Sequence, residues 1–420
     1  MSVFLKIILT ILIVMGSFPE AIAQLTLSAQ VRPRLEYRDG FRIPKGTNSE
    51  VAFFVSQRTR LNIRFENEKM ELFISPQDIR VWGMEKQMGQ VPNFGLHEAW
   101  GRLKFSDVFS VKAGRQEFVY DGHRLLGNVD WAQQARSHDA LLFEYEKNGF
   151  TLDFGGAFNQ SREQVFTTFY RPDNYKVLTL IHAEKKSDKF SWSGIMVSDA
   201  FEKNDSIHDL FWRYTVGTLL SYKVSKLNLE GSIYGQGGET RSGQRIAAYM
   251  FTAKVLYKFN KFSLATGLDF ISGNNPDDQK FQAFNTLYAT NHKFYGFMDY
   301  FLNIPVDADG GGLQDYYLSA NVSTGSKSSI KFAYHQFLSA AAVYDAEKPG
   351  KFLDKNLGRE IDVVFENKIA SYAKFNIGLS FYSPTASTQQ IRGGSEDEIS
   401  TWGWMMLALS PELFSSEKKK

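Results

Sequence analysis

Cysteine is absent from all 420 residues, which excludes a disulfide framework, thiolate chemistry and cysteine-ligated metals. Net charge is nearly absent too. The chain has 48 basic and 46 acidic side chains, leaving +2, so composition provides no bulk attraction to nucleic acid. After the first residues no window of about 18 uncharged apolar residues occurs, so no transmembrane helix is expected. Prolines number 11, and no signature recurs every 40–50 residues or so, which argues against a propeller. Catalytic signatures are missing as well. There is no Gly-x-Ser-x-Gly elbow, and His97-Glu98 lacks the second histidine of a metalloprotease helix. His138-Asp139 and His208-Asp209 are adjacent pairs whose side chains diverge in a strand. Asp307-Ala308-Asp309-Gly310 resembles a calcium loop, but the twelfth position is Leu318 rather than a carboxylate. No enzyme, cofactor or metal site is expected.

What the chain does contain begins with a processing signal. Lys6, the apolar run Ile7 to Met15 and the small-x-small site Ala21-Ile22-Ala23 predict a signal peptide over 1–23 and an exported domain over 24–420. From Leu25 onward the dominant period is two, the period of a strand. Leu25, Leu27, Ala29, Val31, Leu35 and Tyr37 share one face; Arg32, Arg34, Glu36 and Arg38 share the other. Pro33 cannot donate to a ladder, so broken pairing or a bulge is expected there. Val55, Leu61, Ile63 and Phe65 then oppose Arg58, Arg60, Asn62 and Arg64. Phe262, Leu264, Leu268 and Phe270 repeat the sorting against Ser263, Ala265, Gly267 and Asp269.

Connections alternate short and long. Short ones fall near 66–69, 106–107, 147–149, 187–188, 224–226, 260, 324–328 and 370–371. Long ones fall near 39–50, 81–94, 120–138, 159–174, 200–208, 237–245, 272–312, 339–357 and 383–397. Eight short and nine long connections separate eighteen strands. Short periplasmic turns, longer external loops and an even strand count describe an all-β transmembrane antiparallel barrel of the Gram-negative outer membrane, with both termini periplasmic. His292 to Phe301 reads as a further strand, but counting it breaks the alternation, so it is assigned to the 272–312 loop. A soluble sandwich fits the strand period alone. The arginine-rich polar faces, and Tyr249, Tyr257 and Phe259 near strand ends, suit a lipid-facing girdle better.

A barrel of this size leaves an aqueous channel. Its apolar faces meet outer-membrane lipid, so Arg32, Arg34, Arg58, Arg60 and Arg64 form one basic wall, extended by Arg102. Such a row selects anions. The same arginines also suit a scaffold paired with Glu360, Asp362 and Glu366. Between two strands lies the aperiodic, charged stretch Gly114 to Ala140, with Asp121, Arg124, Asp130 and Trp131. Its aromatics argue for an ordered loop, either folded into the mouth as a paired constriction or sealing the outside as a cap.

Gly114-Arg115-Gln116-Glu117, Tyr120-Asp121, Arg124-Leu125, Asp130-Trp131-Ala132-Gln133-Gln134 and Arg136-Ser137-His138-Asp139-Ala140 resemble the alginate-export outer-membrane family. Gln77 to Trp82 and Leu96 to Trp100 do so too. The resemblance implies an 18-stranded barrel with an electropositive, arginine-lined lumen passing an anionic uronate polymer. It implies Arg34, Arg60, Arg115 and Arg136 as conduit cations, with Glu98, Asp121 and Asp130 as their partners. The expected function is therefore a porin-like channel for an anionic solute or polysaccharide, with a periplasmic export partner. A structural or adhesive barrel binding surface partners through its loops is the alternative.

Overall fold

The computed structural model describes residues 23–87, 94–163, 165–166, 174–204, 207–275 and 277–417. The expected signal peptide therefore lies, apart from residue 23, outside the described residues. Eighteen strands form the wall, labelled in chain order: β1 (Gln24–Asp39), β2 (Ala52–Glu66), β3 (Met70–Val81), β4 (Phe94–Lys104), β5 (Phe109–Gln116) and β6 (His138–Lys147). They continue as β7 (Phe150–Phe158), β8 (Val177–Lys186), β9 (Phe190–Asn204), β10 (Ile207–Val224), β11 (Leu227–Glu239) and β12 (Arg245–Lys258). The last six are β13 (Phe262–Ile271), β14 (Leu313–Ser323), β15 (Ser328–Leu338), β16 (Asn356–Ala370), β17 (Ala373–Ser383) and β18 (Ser400–Leu409). Each pairs antiparallel with its sequence neighbours, and β18 pairs with β1 to close the barrel. Closure removes the two free edges that an open sheet of this size would expose.

Alternation dictates the wall. Leu61, Leu72, Ile181, Val216, Ile233 and Leu379 are exposed in the outward phase, while Arg58, Ser75, Asp269 and Glu360 are buried in the inward one. Tyr249 and Tyr257 are both exposed on β12. At roughly 3.4 Å per residue on a tilted strand they stand about 20 Å apart, close to the height of an apolar band.

Prolines mark the irregularities. Pro33 pairs with Gln57 in an unbroken β1–β2 ladder, whereas on the closing side the β1–β18 register passes from Val31↔Leu409 to Arg34↔Met406. The expected interruption is thus in the seam. After β18 and Pro411, Glu412–Ser415 continues along β1, with the register shifting between Ser28↔Glu412 and Leu27↔Phe414, so that Leu413 is the extra residue. At Pro76 the β3–β4 register jumps from Ser75↔Glu98 to Pro76↔Leu96, so His97 is the extra residue of a bulge.

The eight short turns fall where expected, at the end of the barrel that also holds both described termini. One long connection does not: β9 runs to Asn204 and β10 starts at Ile207, so the expected 200–208 loop is mostly strand. Trp212 opposite Ala200 and Arg213 opposite Asp199 carry the ladder through that region. His292 to Phe301 lies inside the 272–312 loop and holds a 3-10 turn, Asn291–Lys293. Among the described residues no helix is long and apolar enough to cross a membrane. A short helix, α1 (Ala386–Arg392), sits in the last outer loop, with Thr385 as its N-cap.

The lumen is filled in its outer half. Phe118, Leu125 and Leu126 from the β5–β6 loop, and Phe284, Tyr295, Met298, Tyr300 and Phe301 from the β13–β14 loop, are all buried. They pack with inward strand residues such as Leu178, Met250, Phe337 and Trp402 as one apolar cluster. A wide barrel here contains a core made of loops.

Candidate functional site

The β5–β6 loop spans residues 117–137. Its backbone turns sharply at Asp121, His123, Val129 and Ala135, all with positive φ. Val129, at φ 51°, is β-branched, and that conformation is strained unless its surroundings impose it. They do, since Val129 N donates to Thr290 Oγ1 (3.0 Å) on the β13–β14 loop. The loop is rooted at the β4 bulge. His97 Nε2 lies 2.8 Å from Glu117 Oε1, Glu98 accepts from Glu117 N (3.1 Å), and Asn128 donates to Glu117 Oε2 (2.8 Å). His97, Glu98 and Glu117 have the residue types of a metal site, with ligand atoms within 4.8 Å of one another. Their mutual bonds already serve as the root of the loop.

From that root the loop crosses to the β1–β2 wall. Gln30, Arg32 and Arg34 stand opposite Arg60, Arg58 and Ser56 in the ladder, which stacks the guanidinium groups on the inward face. Arg58 Nη2 donates to Asp130 Oδ1 at 2.7 Å, Arg32 Nη1 lies 3.3 Å from Asp130 Oδ2, and Arg60 Nη1 is 3.9 Å from Asp130 Oδ1. Arg34 Nη1 donates to the Trp131 carbonyl (2.7 Å) and sits over the Trp131 ring, while Arg32 also reaches Gln133 Oε1 (3.0 Å). The opposite flank is clasped as well. Arg124 forms a bidentate buried pair with Asp269 of β13, and Asp121 accepts from Ser193 Oγ (2.6 Å) and contacts His182 Nε2 (3.0 Å). Tyr120 donates to Asp153 (3.0 Å).

The two inward loops are joined to each other. Leu126 and Tyr288 form a parallel bridge, with Gly127 N donating to the Tyr288 carbonyl and Tyr288 N to that of Leu125, both at 2.9 Å. The β13–β14 loop is anchored to the wall by Tyr288 on Asp199 (2.8 Å), Met298 N on Glu360 (2.8 Å) and Tyr300 on the Gly40 carbonyl.

Four of the arginines expected on the wall, Arg32, Arg34, Arg58 and Arg60, therefore converge beneath one loop and are at most 9% exposed. Arg64 and Arg102 lie nearer the short turns, in a network with Glu71 and Glu144. Arg115 is a correction: it occupies the outward phase of β5 and pairs with Asp139 (3.0 Å). Strand parity decides this, because its neighbour Gln116 takes the inward position. Arg136 donates to the Ala289 carbonyl (3.1 Å), tying the loops together rather than facing a conduit. Of the partnerships the resemblance implied, Arg60 with Asp130 is present. Arg34 instead pairs with Glu36 (2.9 Å), and Glu98 accepts from Trp100 (3.1 Å). Sequence reasoning missed Gln133, Asp269, Tyr288 and Trp402. Asp269 had a legible signal, since it is an aspartate in the polar phase of a strand otherwise carrying Ser, Ala and Gly there.

Burial alone would raise the Asp130 carboxyl, but Arg58 and Arg32 outweigh it and hold the group below the usual range. Burial pulls Arg124 down, and Asp269 more than restores it, so the guanidinium stays charged. Toward the short turns the lumen opens into two lobes. One of about 950 Å³ is bordered by Arg102, Lys104, Glu144, Asp153 and Glu184. The other, of about 450 Å³, is bordered by Lys254, Asp269, Lys293, His335 and Asp362. Asp121, Gly122 and Leu219 border both, so the loop tip divides them.

No curated protein sequence matches the chain. Solved structures do match in fold. OccAB1 of Acinetobacter baumannii aligns with a TM-score of 0.64 at 13% identity, covering 93% of this chain and 97% of that one. Pseudomonas aeruginosa OccK8 (OprE) aligns at 0.63 and 9% identity, covering 93% and 98%. Pseudomonas aeruginosa OpdL aligns at 0.63 and 13%, covering 94% and 100%. At these identities the likeness speaks for the barrel alone. The alginate-export family model, by contrast, matches residues 23–399, all of β1 to β17 and the loops between them. A closed eighteen-strand wall, inward-folded loops and that match together make this chain a member of the alginate-export family, an outer-membrane β-barrel channel.

Proposed function

We propose that the channel passes anionic solutes of the uronate class, selected by the arginines of β1 and β2. The observation that carries this is an excess of cations at one place in the lumen. Arg32, Arg58 and Arg60 share the single carboxylate of Asp130, while Arg34 and Arg38 share Glu36. In a low-dielectric wall such charges are less screened than on an open surface. Arginine also matches carboxylate geometry as a planar fork. Reversal potentials across a KCl gradient in planar bilayers test the reading. Wild type is expected to prefer chloride, and Arg34→Ala/Arg60→Ala to lose most of that preference while still folding, since lumen changes tune selectivity. An unchanged ion preference in the double variant sinks the proposal.

One observation favours the alternative of a structural or adhesive barrel: two loops fill the outer lumen with an apolar cluster. Wild-type protein that never conducts would support that reading. Export is part of the same proposal, with cleavage after Ala23. β1 begins at Gln24, the residue that would then lead the mature chain. Mass spectrometry of the outer-membrane form tests it, and a retained leader would exclude it.

A further inference from the structure

The segment Asp130 to Gln133 presents a particular set of atoms to the wall. One carboxylate from Asp130 is followed by the carbonyls of Trp131, Ala132 and Gln133 and the amide oxygen of Gln133, all within 3.4 Å of arginine nitrogens. One carboxylate followed by neutral oxygens along a chain is also the pattern of a uronate sugar. The two sides of the contact differ in exposure. The Arg32, Arg58 and Arg60 side chains are at most 9% exposed, whereas that of Asp130 is 51% exposed. The receiving site is thus built into the wall, and its present occupant sits on the accessible side. The site is also incompletely filled, because the buried Arg60 Nη2 has no hydrogen-bond partner among the described residues.

The segment is bracketed by places where it can turn. Val129 (φ 51°) and Ala135 (φ 55°) flank it in the left-handed region. At these flanks, Val129 N on Thr290 and the Arg136 side chain on Ala289 hold the loop to its neighbour. Departure of Asp130 alone would leave several buried guanidinium groups without a counter-charge, which is strongly unfavourable. Departure in exchange for another carboxylate would not be.

We infer that Asp130–Gln133 is a built-in stand-in for the solute: a carboxylate-bearing sugar competes with it for Arg32, Arg58 and Arg60, and its binding releases the segment. This rests on the anion-channel reading and deepens it by making the arginine cluster a carboxylate-exchange site. Neutral sugars, lacking the charge, do not release the segment. The occupied fraction of the site lowers the apparent affinity of any competing solute by that same fraction.

The test is the concentration of a galacturonate trisaccharide that half-blocks the KCl current through the full-length channel in planar bilayers. Maltotriose serves as the neutral control. In Asp130→Asn the half-blocking concentration is expected to fall about tenfold, with no change for maltotriose. Asp139→Asn removes the same formal charge on the outward face of β6, away from the lumen, and is expected not to tighten the block. An Asp130→Asn channel with unchanged trisaccharide block, or one matched by Asp139→Asn, overturns the inference. If Asp130→Asn yields no heat-modifiable barrel, Gln133→Ala replaces it, because it removes the amide oxygen from Arg32. An unchanged block there is equally fatal. Failure of the parent reading looks different: wild type then shows no chloride preference, and Arg34→Ala/Arg60→Ala changes nothing.

Discussion

The two loops that enter the barrel are held there by different forces. Loop 117–137 is gripped through charge, at Asp130 by the β1–β2 arginines and at Arg124 by Asp269. Loop 272–312 is held mostly by apolar burial. Phe284, Met298, Tyr300, Phe301 and Ile304 are each no more than 2% exposed, and beside its hydrogen bonds to Asp199 and Glu360 it has an ion pair to another loop, Asp307 with Arg392 of α1 (2.6 Å). Ionic contacts can be exchanged for a solute or switched by pH, whereas buried aromatic and aliphatic contacts cannot. The comparison assigns the adjustable part to the first loop and the fixed platform to the second.

The sharpest way to break that comparison is to break the ionic loop at its most buried pair. Arg124→Ala leaves Asp269 buried without its partner, a loss of about 3–5 kcal/mol. The temperature at which the folded band disappears on gels should fall clearly, and open-channel current noise should rise. A wild-type midpoint would show that this pair does not hold the loop. Met298→Ala attacks the apolar loop and should cost about 2–5 kcal/mol through lost burial and a cavity. Because the substitution removes only an uncharged, buried side chain, its effect on the same midpoint should not change between low and high salt. A strong salt dependence would blur the distinction drawn between the loops.

Acidification should have a smaller and selective effect. The Asp130 pKa is depressed in the folded protein, so its clasp is fully present above the ordinary carboxylate range and lost only as pH falls through the lower, folded value. Conductance should stay flat from pH 7 to about 5 and rise only below about pH 4. Asp130→Asn should abolish that rise, and a rise already complete at pH 6 would assign it to another group. Smallest of all is Arg115→Gln. Its outward pair with Asp139 is largely exposed on both sides, and such pairs contribute about 0–1 kcal/mol. Ion preference and conductance should match wild type. A lost anion preference would return Arg115 to the conduit.

Much of this architecture was legible because a barrel strand writes its two environments into alternate residues. Leu61 against Arg60 and Leu264 against Ser263 already separate lipid from lumen. At Arg115 the expectation failed because motif likeness outranked this same parity, which places the side chain outward. The supposed 200–208 loop failed for a different reason. Phe201, Glu202 and Lys203 look like loop residues once the apolar run ends, yet β9 continues to Asn204 and β10 begins at Ile207. The clasp itself was illegible in detail. Asp130 and Arg32 are separated by 98 residues, and Arg124 and Asp269 by 145.

By itself, then, the sequence determined the strands, their faces and the side of the barrel that carries the arginines. These follow from local period and from the rule that backbone polar groups in lipid must be satisfied within a closed sheet. Which carboxylate met which arginine was decided by tertiary structure, as was the filling of the outer lumen by two loops joined at Leu126 and Tyr288. Aperiodic loops carry no phase to read. Their partners are set by where barrel closure brings β1, β2 and β13 around them, a property of the closed wall and of no single stretch of chain.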